Sequence, residues 1–405
     1  MILERETSMA PSSIVKNEKG FSLVEMIVVT AIFVAILVIT GQTFETIVGK
    51  TTQETKTAET QIEGAVGLEI LRRDLAQAGY GLPWDLDGAT YPEVTAGTGA
   101  LVPGVDPTEF NDGPPNAPRA VVSSDTTAST IGFNESDILV VKSTITGLNE
   151  TAKKWYTATF THYTSNQMET GERLIVLRNA YSGGALMKKV LLKDSTGKFT
   201  VSYPAANGTF PADFRPEAGL DTYMVYGVAP ADSTGLLRTP FNRSDYYIKR
   251  PDLARSIPET CAKQVEDSDT EGVGILYRST ASQVAGSSGG GFSPPYPLLD
   301  CVADMQVVYS LDSNGDGAVD LHSDVPLANA EAVRAQVKEV RVYILAQEGS
   351  RSSGFNSPHS QILVGERING VDYGRSFVFA DHNIRDWANY RWRLYTIVVP
   401  LGNLN

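Results

Sequence analysis

Residues 21–40 read FSLVEMIVVTAIFVAILVIT, and they follow Lys19 and Gly20. An apolar helix of about 20 residues spans the hydrocarbon core of a bilayer, so this run predicts a membrane segment. One acidic residue, Glu25, interrupts the run. A carboxylate in hydrocarbon is costly, so its presence there indicates a functional role.

Three interpretations of this segment compete. A secretory signal peptide needs small residues at a cleavage site behind the apolar run, and residues 40–44 match that pattern poorly. A plain signal anchor gives no reason for Glu25. The third interpretation is a class III leader, which is cut between Gly20 and Phe21 on the cytoplasmic side of the membrane.

This segment resembles the type IV prepilin family. The resemblance rests on Gly20, Phe21, the long apolar helix and Glu25, which is the fifth residue after the cut. The resemblance implies that a prepilin peptidase removes leader residues 1–20, or a shorter leader starting at Met9, and that the new amino group of Phe21 is N-methylated. It also implies that Glu25 is the assembly carboxylate. A paired buried charge costs far less than an unpaired one, so Glu25 of one subunit would neutralise the amino group of a neighbour.

The helix is expected to extend over 21–78, with a transmembrane part at 21–43 and a periplasmic part at 44–78. Its second part contains an apolar stripe at helical spacing, which would pack on the rest of the protein. The stripe consists of Ala65, Leu68, Leu71, Leu75 and Ala78. Glycine and proline at 79–83 predict the end of the helix.

Residues 79–405 are expected to form a β-rich globular head, with an insertion at about 84–270 that could be a subdomain. Short runs rich in β-branched and aromatic residues, separated by turn residues, predict its strands. These runs are Asp137–Ser143, Trp155–Tyr163, Arg173–Arg178, Lys189–Lys193, Phe199–Tyr203, Thr222–Val228, Gly274–Arg278, Met305–Leu311, Val337–Gln347, Ser376–Ala380 and Trp392–Pro400. Residues 328–336 predict a short helix. The predicted class is therefore α+β, with a long N-terminal helix and an antiparallel head, as in the pilin lollipop.

Residues 312–320 read DSNGDGAVD and follow the calcium-loop pattern of alternating oxygen-bearing residues with a glycine at the sharp turn. The sequence departs from this pattern at the last position, where the pattern has glutamate and the chain has Ser323. Asp324 follows one residue later. The candidate calcium ligands are Asp312, Asn314, Asp316, the carbonyl of Ala318, Asp320 and Asp324. A solvated turn between two strands is the alternative interpretation.

The chain has two cysteines, Cys261 and Cys301, and neither belongs to a CxxC pair. An exported protein with two cysteines usually joins them, so we expect a disulfide. Two unrelated buried thiols are the alternative. The bond would close a loop that contains the flexible stretch at 286–295.

Three further segments, at 72–80, 302–320 and 391–403, resemble PilW-type minor pilins in sequence and order. The resemblance implies a structural subunit that primes or caps a type IV pilus, held first in the inner membrane with its head in the periplasm and later at the cell surface. The implied partners are major and minor pilins, the prepilin peptidase, the inner-membrane assembly platform and a PilY-type tip adhesin. A pseudopilin of a type II secretion system, closest to the J-type subunit, is the first alternative. The second is an adhesin or ligand-binding module on a pilin stem.

The composition argues against a nucleic-acid-binding surface, because 47 acidic residues outnumber 34 basic ones. The four histidines, at 162, 322, 359 and 382, are scattered, and the sequence contains no HExxH, GxSxG or phosphate-loop motif. We therefore expect no enzyme activity.

Overall fold

The computed structural model describes residues 20, 22–95, 101–124, 132–182, 185–204, 209–217, 221–231, 235–251, 257–283 and 291–404. The chain divides into two compact units, Met1–Thr55 and Lys56–Asn405, which we call the N-terminal unit and the head unit. The helices are α1 (Leu23–Ala76) and α2 (Ala330–Gln336). The strands are β1 (Val121–Ser123), β2 (Leu139–Ser143), β3 (Trp155–Thr159), β4 (Arg173–Ser182), β5 (Ala185–Leu191), β6 (Val201–Ser202), β7 (Thr222–Ala229), β8 (Asn242–Lys249), β9 (Gly274–Thr280), β10 (Tyr296–Leu311), β11 (Leu321–Ser323), β12 (Val337–Glu348), β13 (Gln361–Ile368), β14 (Val371–Val378) and β15 (Arg391–Pro400).

The strands form antiparallel sheets. The main sheet has the order β1-β2-β8-β9-β10-β12-β15, with β11 paired to β10. A second sheet has the order β3-β7-β4-β5, with β6 paired to β4, and β13 and β14 form a hairpin. Together with α1, these sheets confirm the predicted α+β class.

Both faces of the main sheet are buried along its central strand β12. Successive strand residues point to opposite faces. Val342 and Ile344 lie in the core that also holds Leu71 of α1. Tyr343 and Leu345 lie in a second core, under the β13–β14 hairpin. The central strands are therefore apolar at consecutive positions, as expected for a sheet that is covered on both sides.

The interval 84–270 is divided between the two large sheets. Strands β1, β2 and β8 belong to the main sheet, whereas β3 to β7 form the second one. The second sheet packs on the main core through Ile175 and Leu177, while Leu174 and Val176 face a small core of their own.

Buried charges tie the loop before β1 to the main sheet. The Lys142 ammonium is fully buried and lies 2.9 Å from a Glu93 carboxylate oxygen. It also contacts Asp112, at 2.5 Å, which in turn pairs with Arg119 at 2.6 Å. A buried charge is tolerated only when it is paired, so these contacts hold the loop in one position.

Helix α1 approaches β10 closely because two of its residues are glycines. A Cβ atom on Gly67 would lie 1.8 Å from the carbonyl oxygen of Leu298, which no real side chain can do. A Cβ on Gly64 would lie 3.0 Å from the Leu299 side chain. These glycines lower the helix propensity of α1, but they allow the helix to lie directly on the strand.

A carboxylate near the end of α1 fixes the helix to the main sheet. Oδ2 of Asp74 accepts hydrogen bonds from the Tyr246 hydroxyl at 2.6 Å and the Thr146 hydroxyl at 2.9 Å. The Nε of Arg278 donates to the same oxygen at 2.8 Å, and its Nη2 lies 2.7 Å from that oxygen. The side chain of Arg278 is 4% exposed, so this ion pair is almost out of water.

The end of α1 is closed by the C-terminal segment. The helix stops at Ala76, two residues before the predicted end, and Gly79 then adopts a φ of +84°. The Asn403 side chain donates a hydrogen bond to the Ala76 carbonyl at 2.9 Å. Unpaired carbonyls at a helix end need such a partner.

Replacing the Asp74 carboxylate should detach the helix from the sheet. We expect Asp74→Asn to lower the free energy of unfolding by about 3 kcal/mol, because it leaves the buried Arg278 without its counter-charge. Urea unfolding of the full-length chain in detergent measures the change. Glu69→Gln is the control, since Glu69 is an exposed residue of the same helix and should alter stability by less than about 0.5 kcal/mol. Equal effects of the two substitutions would contradict the role of Asp74.

Candidate functional site

The predicted cleavage junction lies directly before the first turn of α1. Gly20 is exposed, and Phe21 lies outside the described residues. Ser22 and Glu25 form a reciprocal cap at the start of the helix. The Glu25 amide donates to the Ser22 hydroxyl at 3.2 Å, and the Ser22 amide donates to a Glu25 carboxylate oxygen at 3.4 Å. This is a capping box, which satisfies two backbone donors at a helix start. Glu25 therefore has a local role in the isolated chain that the sequence analysis missed, although the pattern Ser-x-x-Glu is the signal that could have found it.

The first part of α1 presents apolar side chains on all sides. Leu23–Phe44 is long and apolar enough to cross a membrane. Every large apolar side chain from Leu23 to Ile39 is at least half exposed. Such a surface is stable only when lipid or another protein covers it.

The structure forms the predicted disulfide between Cys261 and Cys301. Their Cα atoms are 5.2 Å apart, and both residues are buried. The bond joins the segment before β9 to the middle of β10. It lies in the second core of the sheet, together with Tyr343 and Phe377.

In the predicted calcium loop, the acidic side chains contact the loop's own backbone. The Asp312 carboxylate accepts hydrogen bonds from the amides of Gly315 at 2.6 Å and Gly317 at 2.8 Å. It also lies 3.0 Å from the Lys338 ammonium, so it already has a counter-charge.

The remaining candidate ligands have partners of their own. The Asp320 carboxylate accepts from the amide and the hydroxyl of Ser313, at 2.9 and 3.0 Å. Asp324 accepts from the Gly374 amide at 3.1 Å. Within the described ranges, no three acidic, histidine or cysteine side chains are arranged to hold a metal ion. As arranged, the side chains do not fit the predicted ligand set, and calcium binding stays a prediction.

Two family models match the chain. Residues 15–41 match the prokaryotic N-terminal methylation motif, and residues 265–403 match the type IV pilus-assembly protein W family. The chain carries a type IV pilus-assembly W domain. Together with the methylation motif, this match supports a minor pilin or assembly component of a type IV pilus. The matches do not favour the type II secretion alternative. No curated protein and no solved structure matched the chain.

The W domain covers about a third of the chain and five of the eight strands of the main sheet. It includes β9 to β15, the calcium-type loop and Cys301, and it ends just after β15. Strands β1, β2 and β8, together with the second sheet, lie outside it. Proteins of these two families are in general structural, in agreement with the expectation from the motifs.

The disulfide should contribute strongly to the stability of the W domain. A bond between residues 40 positions apart restricts the unfolded chain, so its loss should lower the free energy of unfolding by about 4 kcal/mol. Urea unfolding of the full-length chain with and without a reductant measures this effect. The double variant Cys261→Ala with Cys301→Ala is the control, because it should not respond to the reductant. An equal response of both proteins would contradict the prediction.

Proposed function

We propose that the chain is a minor pilin that primes or caps a type IV pilus. In this proposal the head unit is exported to the periplasm while α1 stays in the inner membrane. The assembled subunit then exposes its head at the pilus surface. The chain has no catalytic role.

The exposed apolar surface of α1 carries the proposal. The side chains from Leu23 to Ile39 find no cover in the described part of the chain. Lipid can cover them before assembly, and helices of neighbouring subunits can cover them in a filament. A helix with this surface suits a subunit that moves between those two environments.

Glu25 supplies a counter-charge that favours this transfer. In the isolated chain its carboxylate caps the helix through the Ser22 amide. In a filament, the same carboxylate would meet the methylated amino group of Phe21 on a neighbour. A buried cation with a carboxylate partner costs far less than an unpaired one, so the pairing favours correct packing.

The disulfide supports a location outside the cytoplasm, and the large head supports a position at the pilus tip. Disulfides persist in oxidising compartments, such as the periplasm and the cell surface. The head unit, Lys56–Asn405, makes up most of the chain and would crowd its neighbours along a shaft. A rare position at the tip avoids this crowding.

The resemblance suggests the remaining partners. We infer that major and minor pilins contact α1, that the prepilin peptidase removes the leader, and that the inner-membrane platform takes up the processed subunit. A PilY-type tip adhesin would meet the exposed head.

Two substitutions separate the roles of Glu25. Glu25→Gln keeps the capping box, since glutamine serves at that position, but it removes the charge. Ser22→Ala removes the capping hydroxyl and keeps the charge. In cells that lack the natural gene, we expect Glu25→Gln to reduce the chain in sheared filaments, and the number of pili per cell, at least about tenfold. Ser22→Ala should support nearly normal piliation.

Immunoblots of the membrane fraction provide the control, because both variants should accumulate there at the level of the unmodified chain. Normal pilus numbers with Glu25→Gln would exclude the charge as the basis of assembly. Equal losses with both variants would show that assembly needs the capping hydroxyl as much as the charge, and would contradict the separation of the two roles.

A further inference from the structure

Strand β15 forms a long open edge of the main sheet. It pairs with β12 on one side, and no strand of the described residues pairs with its other side. At the opposite edge of the sheet, β1 spans only Val121–Ser123. An open strand edge carries a row of unpaired backbone groups that can accept another strand.

The register shows which groups lie on that edge. Val399 is opposite Val340, and the pairing continues without a bulge to Arg391 opposite Glu348. The next pair in this register is Leu401 with Lys338, in which the Leu401 amide donates to the Lys338 carbonyl at 2.9 Å.

In an antiparallel pair, hydrogen-bonded positions alternate with positions whose groups point away from the partner strand. Odd-numbered residues of β15 therefore bond to β12. The outward amides and carbonyls belong to Trp392, Leu394, Thr396 and Val398. Pro400 falls in the same outward series, where a missing N–H costs no bond within the sheet.

The side chains along the edge differ between its two ends. Arg391 and Arg393 are exposed at one end, and Thr396 and Val398 are exposed at the other. Arg393 contacts Glu348 at 3.0 Å. The strand contains no acidic residue, although the chain has a net charge of −13.

Charged or proline residues often protect an open edge from association. Here Arg391, Arg393 and Pro400 stand at the ends of β15. They leave the uninterrupted stretch 394–398 open between them.

We propose that the open edge of β15 docks an extended segment of another protein, which adds to the main sheet as a further strand. Backbone hydrogen bonds to the outward groups of 392–398 would supply affinity. Acidic residues of that segment would lie beside Arg391 and Arg393, with β-branched residues beside Thr396 and Val398. The proposal concerns the head unit, so it does not depend on assembly through Glu25.

A second copy of the chain is a poorer occupant. Two antiparallel copies of β15 paired about their middle would place the Arg391 end of each beside the Val398–Pro400 end of the other. Because β15 has no acidic residue, neither arginine would gain a counter-charge. A different protein with an acidic strand end matches the edge better.

The test places a photoreactive benzoyl-phenylalanine at Val398 of the full-length chain in piliated cells. Mass spectrometry of the cross-linked peptides identifies the partner residues. We expect a segment of another protein, with acidic residues toward the Arg391 end. Thr396→Pro should lower the cross-link yield about tenfold or more, because it removes an outward donor and blocks the edge. Thr396→Ala, which keeps the N–H, should change the yield less than about twofold.

A charge variant covers the case in which Thr396→Pro fails to fold. Arg391→Glu with Arg393→Glu should also lower the yield about tenfold, and Lys198→Glu, an exposed site in the second sheet region, should not. Cross-links to lipid or to a second copy alone would overturn the proposal. So would equal yields for a folded Thr396→Pro and Thr396→Ala, or an unchanged yield with both arginines reversed.

Discussion

The attachment of α1 to the main sheet depends on one mostly buried carboxylate. Asp74 is held by Arg278 and Tyr246, which lie on neighbouring strands β9 and β8. The ion pair fixes the rotation of the helix about its own axis, because any other rotation would leave the arginine without a counter-charge. Gly67 then allows the backbone of α1 to meet β10. Both features hold the apolar stripe of α1 against the core of the head.

This attachment separates two kinds of helix surface. In the head unit, Leu71 and Leu75 of α1 are fully buried against the sheet. In the N-terminal unit, residues such as Phe33 expose their apolar side chains. One helix thus contributes to the folded core and also carries a surface that requires lipid or neighbouring subunits. This division is what a subunit drawn from a membrane into a filament requires.

The sequence predicted the elements whose polarity follows a simple period. The apolar run and the stripe of α1 led to a helix of nearly the observed length, and β12 and β15 were found within one residue of their observed bounds. Strand β8 was missed because its polar residues are inside. Arg243 and Asp245 are both buried and pair at 2.7 Å, so a pattern that assigns polar residues to the surface cannot find this strand. The first half of β10 was missed because register shifts after Pro297 and Leu299 interrupt its alternation.

The candidate site was predictable where it depends on local sequence. The leader motif, the apolar helix and the pairing of the two cysteines could all be read from the chain. The arrangement of the calcium-type loop could not, because Lys338 is distant in sequence and reaches Asp312 only through the pairing of β10 with β12. The open edge of β15 likewise requires knowledge of the strand order.

The central claim is that this chain is processed as a prepilin and built into a filament. Mass spectrometry of the N-terminal peptide, from membranes and from sheared surface filaments of the same cells, tests it most directly. The account predicts a peptide that begins with N-methylated Phe21 in both fractions. A chain that retains residues before Phe21 in both fractions, or that is missing from the filaments, would contradict the account.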